Sequence, residues 1–189
     1  GYSLTVSREP GGTALGESLR AILLERDEPV SREAEAYLMT GARAEHVREV
    51  IRPALMRGDV VLCDRYVDST LAYQGAGRGI ELAVLRSMQE LAVGDVIPTI
   101  TLLFDLPVEV GLARRHGGGY TNRLDRESVA FHERVASWYR DEAARHPQRW
   151  LIMDATLRID LLHTAVLEQV MERLGTTDNG GVAVGMEQQ

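Results

Sequence analysis

Four short, continuously apolar segments limit this chain most strongly to one class of fold. They read YSLTVS, DVVLC, TITLLFD and WLIMD, and they span residues 2–7, 59–63, 99–105 and 150–154. Strands buried on both faces have such continuous runs, whereas strands with one wet face alternate apolar and polar residues. Because helical patterns separate the four segments, the sequence predicts an α/β fold with a mainly parallel sheet.

Helical spacing of apolar residues predicts the segments between the strands. A first helix begins near Thr13, and a long second helix runs from Ser31 to about Arg57, with Pro53 kinking its last turns. The remaining helices are predicted at 81–93, 107–115, 127–145 and 159–174.

Two segments lack either pattern. The stretch HGGGYTNRLDR, residues 116–126, is rich in glycine and then in charge, which predicts a mobile loop. The residues from Gly175 to the end are small and polar, so we predict a disordered tail over 175–189 after a single domain over 1–174.

Composition excludes several classes of protein. A net charge of −7 argues against binding to a nucleic acid polymer. No apolar run approaches the roughly 18 residues needed to span a bilayer, and the single cysteine, Cys63, excludes an internal disulfide framework. We therefore expect a protein of the cytoplasm that is not bound to membranes.

Polar clusters follow three of the predicted strands, and ligands bind at the carboxyl ends of parallel strands. Asp64 and Arg65 come directly after the second strand. The planar guanidinium of an arginine suits a phosphate, and a neighbouring carboxylate suits hydrated Mg²⁺. The alternative is structural, with Asp64 capping a turn and Arg65 paired to it.

Further candidates lie beyond that cluster. Gln74 could pair with the edge of a nucleobase and Tyr73 could pack on a sugar, although a buried tyrosine and a helix-ending glutamine would look the same. Arg43 lies within the long helix, where arginines are commonly solvated. Arg123 and Arg126, behind three glycines, could close over a phosphate or could belong to a solvated loop.

Taken in order, four motifs resemble those of bacterial thymidylate kinases. They read SREPGGTALGESLR, DRYVDSTLAYQGAGRG, TLLFDLPVEVGLAR and LDR…FHERV…WY. The resemblance extends from about Leu4 to Leu174, and the second motif matches over its whole length.

The resemblance implies a P-loop nucleoside-monophosphate-kinase-like fold of three layers with a small lid at about 116–126. It implies transfer of the γ-phosphoryl group of ATP to dTMP with Mg²⁺, in the synthesis of dTTP. It also implies a homodimer.

The resemblance further assigns roles to the candidates. Arg65 would hold the phosphate of dTMP and Asp64 would lie near the metal. Arg123 and Arg126 would neutralise charge on the transferred phosphoryl group. The other residues would surround the nucleotide: Glu9 and Pro10 at the edge of the site, Arg43 and Gln74 at the thymine edge, and Ser69 and Tyr73 along the base and deoxyribose.

The sequence departs from the family pattern in three places. No GxxxxGK[ST] motif occurs, and all 21 basic residues are arginine. We therefore expect the first strand and helix of the family to be missing, which would leave a gap between DVVLC and TITLLFD; the tail segment GGVAVGM is too short and glycine-rich to fill it. Thr40 stands where relatives have a phenylalanine that stacks on thymine, and Thr121 stands where relatives often have an arginine.

Three functions remain open. The chain could be a thymidylate kinase that is active only with the phosphate-loop segment, a non-catalytic nucleotide-binding regulator, or a related nucleotide or sugar kinase. Reading the coding sequence upstream of Gly1 separates the first two.

Overall fold

The computed structural model describes residues 2–26, 28–119, 121–176 and 183–188. Five parallel strands form one sheet in the order β1-β2-β5-β3-β4. Their bounds are Leu4–Arg8 (β1), Val60–Asp64 (β2), Ile100–Asp105 (β3), Trp150–Asp154 (β4) and Ala183–Gln188 (β5). The predicted α/β fold with a parallel sheet is confirmed, and the four predicted strands shift by no more than two residues at either end.

The helices follow the predicted pattern. Their bounds are Ala14–Arg20 (α1), Arg32–His46 (α2), Arg52–Met56 (α3), Val67–Thr70 (α4), Leu82–Val93 (α5), Val108–Gly117 (α6), Val129–Arg145 (α7) and Ile159–Thr176 (α8). π-Helical turns extend α1 over Ala21–Glu25, join α2 to α3 over Val47–Ile51 and follow α4 over Leu71–Gly77.

Local sequence explains where the first two helices begin and how the second continues. The hydroxyls of Thr13 and Ser31 accept hydrogen bonds from the backbone of Gly16 and Ala34, as N-caps do. Pro53 lies in the first turn of α3, where its missing N–H is tolerated, and the π-helical turn lies directly before it.

Helices cover the sheet in two layers. One face packs on α2, α3, α5 and α7 through two apolar clusters, which include Val61 and Leu103 from the sheet. The opposite face packs on α8 through residues such as Leu102 and Met153. The sheet is therefore the middle of three layers, and its carboxyl ends are left open between the helices.

The end of the chain differs from the prediction. Residues 175 and 176 complete α8, and Ala183–Gln188 forms a strand that pairs in parallel with both β2 and β3. The strand occupies the position between β2 and β3 that we expected to be empty. The prediction failed because the position itself supplies two hydrogen-bonding neighbours, which outweigh a weak local preference for strand.

The α8 side of the sheet is incompletely covered at its β1 edge. Tyr2, Leu4 and Val6 are more than half exposed there.

Among the described residues, no helix is long and apolar enough to cross a membrane.

Candidate nucleotide site

A cavity of about 240 Å³ opens at the carboxyl ends of β1, β2 and β3. Parallel strands direct their carboxyl ends to one edge, so residues distant in sequence meet there. Eight of the predicted site residues line the cavity: Glu9, Pro10, Arg43, Asp64, Arg65, Ser69, Tyr73 and Gln74.

Arg65 has an unusual backbone conformation at the end of β2. Its φ is 64°, in the left-handed region that costs a non-glycine residue about 1–3 kcal/mol. Its guanidinium carbon lies 5.0 Å from the centre of the Tyr73 ring, and its Nη1 lies 3.4 Å from the Ser69 hydroxyl. The strained backbone thus places a cation above an aromatic ring on the cavity wall.

Arg43 is buried, with 2% of its surface exposed, and is held on several sides. Its Nε donates to Glu9 Oε2 at 2.6 Å, and Nη2 donates to the Tyr66 carbonyl at 2.8 Å. Nη1 donates to Thr70 Oγ1 at 2.9 Å and to Gln89 Oε1 at 2.5 Å. Since a guanidinium has five N–H donors, one is left without a partner among the described residues.

Gln74 is bound to an acidic residue that the sequence did not single out. Its Nε2 donates to Glu35 Oε1 at 2.7 Å, and Arg78 and Arg123 pair with the same carboxylate. Burial acts to raise the pKa of Glu35, but the hydrogen bonds from Gln74, Arg123 and Arg78 outweigh it, so this pKa lies below its ordinary value. The amide of Gln74 therefore has a fixed orientation toward the cavity.

The two predicted lid arginines do not line the cavity. Arg123 donates to the Leu23 carbonyl at 3.1 Å and pairs with buried Glu35, which turns its guanidinium toward α1 and α2. Arg126 also lies outside the cavity lining. Their predicted role on a phosphoryl group would require a different arrangement of the segment.

Asp64 offers an acceptor that could serve a metal. Its Oδ1 atom is buried and has no hydrogen-bond partner among the described residues, and the residue lines the cavity. An unpartnered buried carboxylate oxygen is costly, and hydrated Mg²⁺ supplies water protons that satisfy such an atom. The geometry thus fits the Mg²⁺ position that the resemblance implies.

Met39, not Thr40, lies on the cavity wall, which corrects the assignment of Thr40 to a stacking position. Thr40 Oγ1 donates to the Ala36 carbonyl at 2.7 Å and accepts from Gln89 at 2.9 Å. A helix turns about 100° per residue, so Met39 shares the face of Arg43 four residues later and Thr40 points toward α5.

His132 is another cavity residue to which sequence reasoning assigned no role. Its Nε2 atom is buried and lacks a partner among the described residues. Burial lowers the pKa of His132 in spite of the nearby carboxylates Asp125 and Glu127. His132 lies in the FHERV motif, and Thr70, which also lines the cavity, directly follows the predicted site residue Ser69. Both residues could therefore have been proposed as site residues from their neighbours in the sequence.

Comparisons with known proteins identify one family. A family model described as thymidylate kinase matches residues 1–166. The thymidylate kinase of Thermomicrobium roseum is 57% identical over 173 residues, which cover 91% of this chain and 82% of that protein. The thymidylate kinase of Citrifermentans bemidjiense is 43% identical and covers 98% of this chain and 87% of its own length. The crystal structure of thymidylate kinase from Ehrlichia chaffeensis has a TM-score of 0.70 at 30% identity and covers 89% of this chain and 80% of that chain. The chain belongs to the thymidylate kinase family.

Proposed function

We propose that this chain binds dTMP in the cavity and takes part in its phosphorylation to dTDP by ATP. The observation that carries the proposal is Arg65, held in a strained conformation above Tyr73 at the end of β2. A strained arginine on a cavity wall is best explained by a ligand that needs its charge, and the phosphate of dTMP supplies that need.

The other side of the cavity suits the base. Arg43 retains one N–H donor, and the Gln74 amide is fixed by Glu35 with its oxygen free to accept. A donor and an acceptor held in fixed positions can pair with the O4 and N3–H edge of thymine. Met39 lies beside them as an apolar surface for the ring.

Mg²⁺ would be held through water by Asp64, and when bound it would neutralise charge on the transferred phosphoryl group. The segment 116–126 would act as a lid whose arginines, Arg123 and Arg126, join the phosphates on closing. For Arg123 this requires release from Glu35.

We also propose a cytoplasmic homodimer. The long helix formed by α2 and α3 carries the exposed side chains Tyr37 and Met56, which support contact between two copies. Sedimentation velocity of the wild type and of the Tyr37→Ser/Met56→Ser variant tests this contact: the variant should sediment as a monomer at a concentration where the wild type is dimeric.

Calorimetric titration tests the substrate. dTMP should bind at least tenfold more tightly than thymidine, which lacks the phosphate, and more tightly than dUMP, dCMP or dGMP. Tighter binding of another monophosphate would instead identify a related nucleotide kinase.

A second function, nucleotide binding without catalysis, would give a different outcome in an assay of turnover. Residues 1–189 contain no GxxxxGK[ST] motif and no lysine, and β5 occupies the centre of the sheet. Phosphoryl transfer would then need a phosphate loop supplied in addition to these residues. An ADP-release assay with dTMP, ATP and Mg²⁺ on residues 1–189 joined to a phosphate-loop segment distinguishes the two functions, since a binding protein gives no turnover even then.

A further inference from the structure

A buried histidine, His46, lies directly behind the cavity wall without being part of it. It is fully buried, and it is absent from the cavity lining. Its Nδ1 lies 2.9 Å from Glu9 Oε1, and its Nε2 lies 2.6 Å from the Ser7 hydroxyl. Both ring nitrogens therefore have partners, as a buried imidazole requires.

The chemistry of the partners fixes the direction of these bonds. A carboxylate can only accept, so Nδ1 carries the proton that is donated to Glu9. In the neutral ring, Nε2 then accepts from the hydroxyl of Ser7. Glu9 thus determines the ring tautomer, and Ser7 satisfies the remaining ring nitrogen.

The REPGG turn is shaped around this ring. Gly12 has a φ of 76°, and a Cβ atom there would lie 2.7 Å from His46 Cδ2 and 2.5 Å from Ser7 Oγ. Such distances are too short for any side chain, so the backbone passes directly against the imidazole. The ring therefore has no room to rotate away from Glu9.

The other oxygen of Glu9 holds the cavity arginine. Glu9 Oε2 accepts from Arg43 Nε at 2.6 Å, and the pair is buried. An arginine fixed at Nε has its planar fork oriented by that bond. The contacts form a continuous chain from Ser7 through His46 and Glu9 to Arg43.

We propose that Ser7 and His46 are positioning residues for Arg43, which they orient through Glu9. Neither residue reaches the cavity, and their effect on a ligand passes through the guanidinium. The expected effect on dTMP affinity rests on the proposed function. The orientation of Arg43 does not, because it can be observed without a ligand.

The first experiment observes Arg43 directly. In protein labelled with ¹⁵N-arginine, the Arg43 Nε–H proton should exchange slowly with water because it is buried and bound to Glu9. His46→Leu, which replaces the imidazole with an apolar side chain of similar size, should speed this exchange at least tenfold. Ser7→Ala should speed it by a smaller factor. His46→Asn, whose amide can replace Nδ1–H, should restore slow exchange, and the exposed His163→Ala serves as the control.

The second experiment measures dTMP binding by calorimetry. His46→Leu should weaken dTMP about tenfold in the wild-type background and less than twofold when Arg43→Lys is already present, because the effect passes through Arg43. An equal loss of dTMP affinity in the wild-type and Arg43→Lys backgrounds would overturn the positioning role. Unchanged Arg43 Nε–H exchange in His46→Leu would overturn it as well. A wild type that does not bind dTMP would refute the proposed function, while the exchange experiment would still decide the inference.

Discussion

The backbone N–H of Arg65 donates to the carbonyl of Met186 at 2.6 Å. This bond joins the central strand β5 to the residue that we assign to the phosphate. The pairing of β5 continues past the end of β2 into the turn at Arg65, so the strand supports both the sheet and the site.

We expect Gly185→Pro to destabilise the protein. Gly185 lies opposite Cys63 and Thr101 in the two ladders, and proline removes its N–H and leaves a buried carbonyl unpaired, a loss of about 1–3 kcal/mol in the free energy of unfolding. Gly185→Ala is the matched control, since an added Cβ atom would meet Pro98 at an ordinary 3.6 Å. Urea denaturation of both variants makes the comparison; equal stabilities would show that β5 does not contribute as a central strand.

Arg65 allows a prediction that separates strain from binding. Arg65→Ala and Arg65→Gly should both weaken dTMP by about 2–5 kcal/mol, because each removes one partner of a desolvated charge pair. The free energy of unfolding of Arg65→Gly should be about 1 kcal/mol higher than that of Arg65→Ala, since glycine adopts a φ of 64° without strain.

Calorimetry and thermal melting check the two parts of the Arg65 prediction. Arg158→Ala, which removes an exposed arginine paired with Asp160, is the control. A loss in dTMP affinity below threefold would remove Arg65 from the phosphate site.

The base site predicts a gain of affinity. Met39→Phe should tighten dTMP by about 1 kcal/mol, at the low end of what aromatic stacking on a base contributes. Thr40→Phe should not, because Thr40 is hydrogen-bonded to Ala36 and Gln89 away from the cavity. Titration of both variants decides: a gain with Thr40→Phe alone would restore the original assignment.

Local sequence predicted most of the fold but not all of the site. The continuous apolar runs found β1 to β4 because burial on both faces leaves a local signature. Ala183–Gln188 has no such signature, since its strand conformation depends on two neighbours that are distant in sequence. The motif around Arg65 located the cavity. The difference between Met39 and Thr40, however, depends on the rotation of α2, and the pairing of Arg123 with Glu35 depends on how the loop packs.

Glu35 carries the last prediction, which concerns both pH and the lid. Because its pKa lies below the ordinary value of 4.5 in the folded state, its contribution to stability is fully present above about pH 4.5 and is lost as the pH falls through the folded pKa. The stability difference between wild type and Glu35→Gln should therefore be large at pH 7 and small at about pH 3, as urea denaturation at the two values would reveal.

Glu35→Gln also weakens the ion pair that holds Arg123, so hydrogen exchange of residues 121–126 should be faster than in the wild type. Glu33→Gln, an exposed acid on the same helix, provides the control. If exchange in this segment is the same in all three proteins, then Glu35 does not hold the lid.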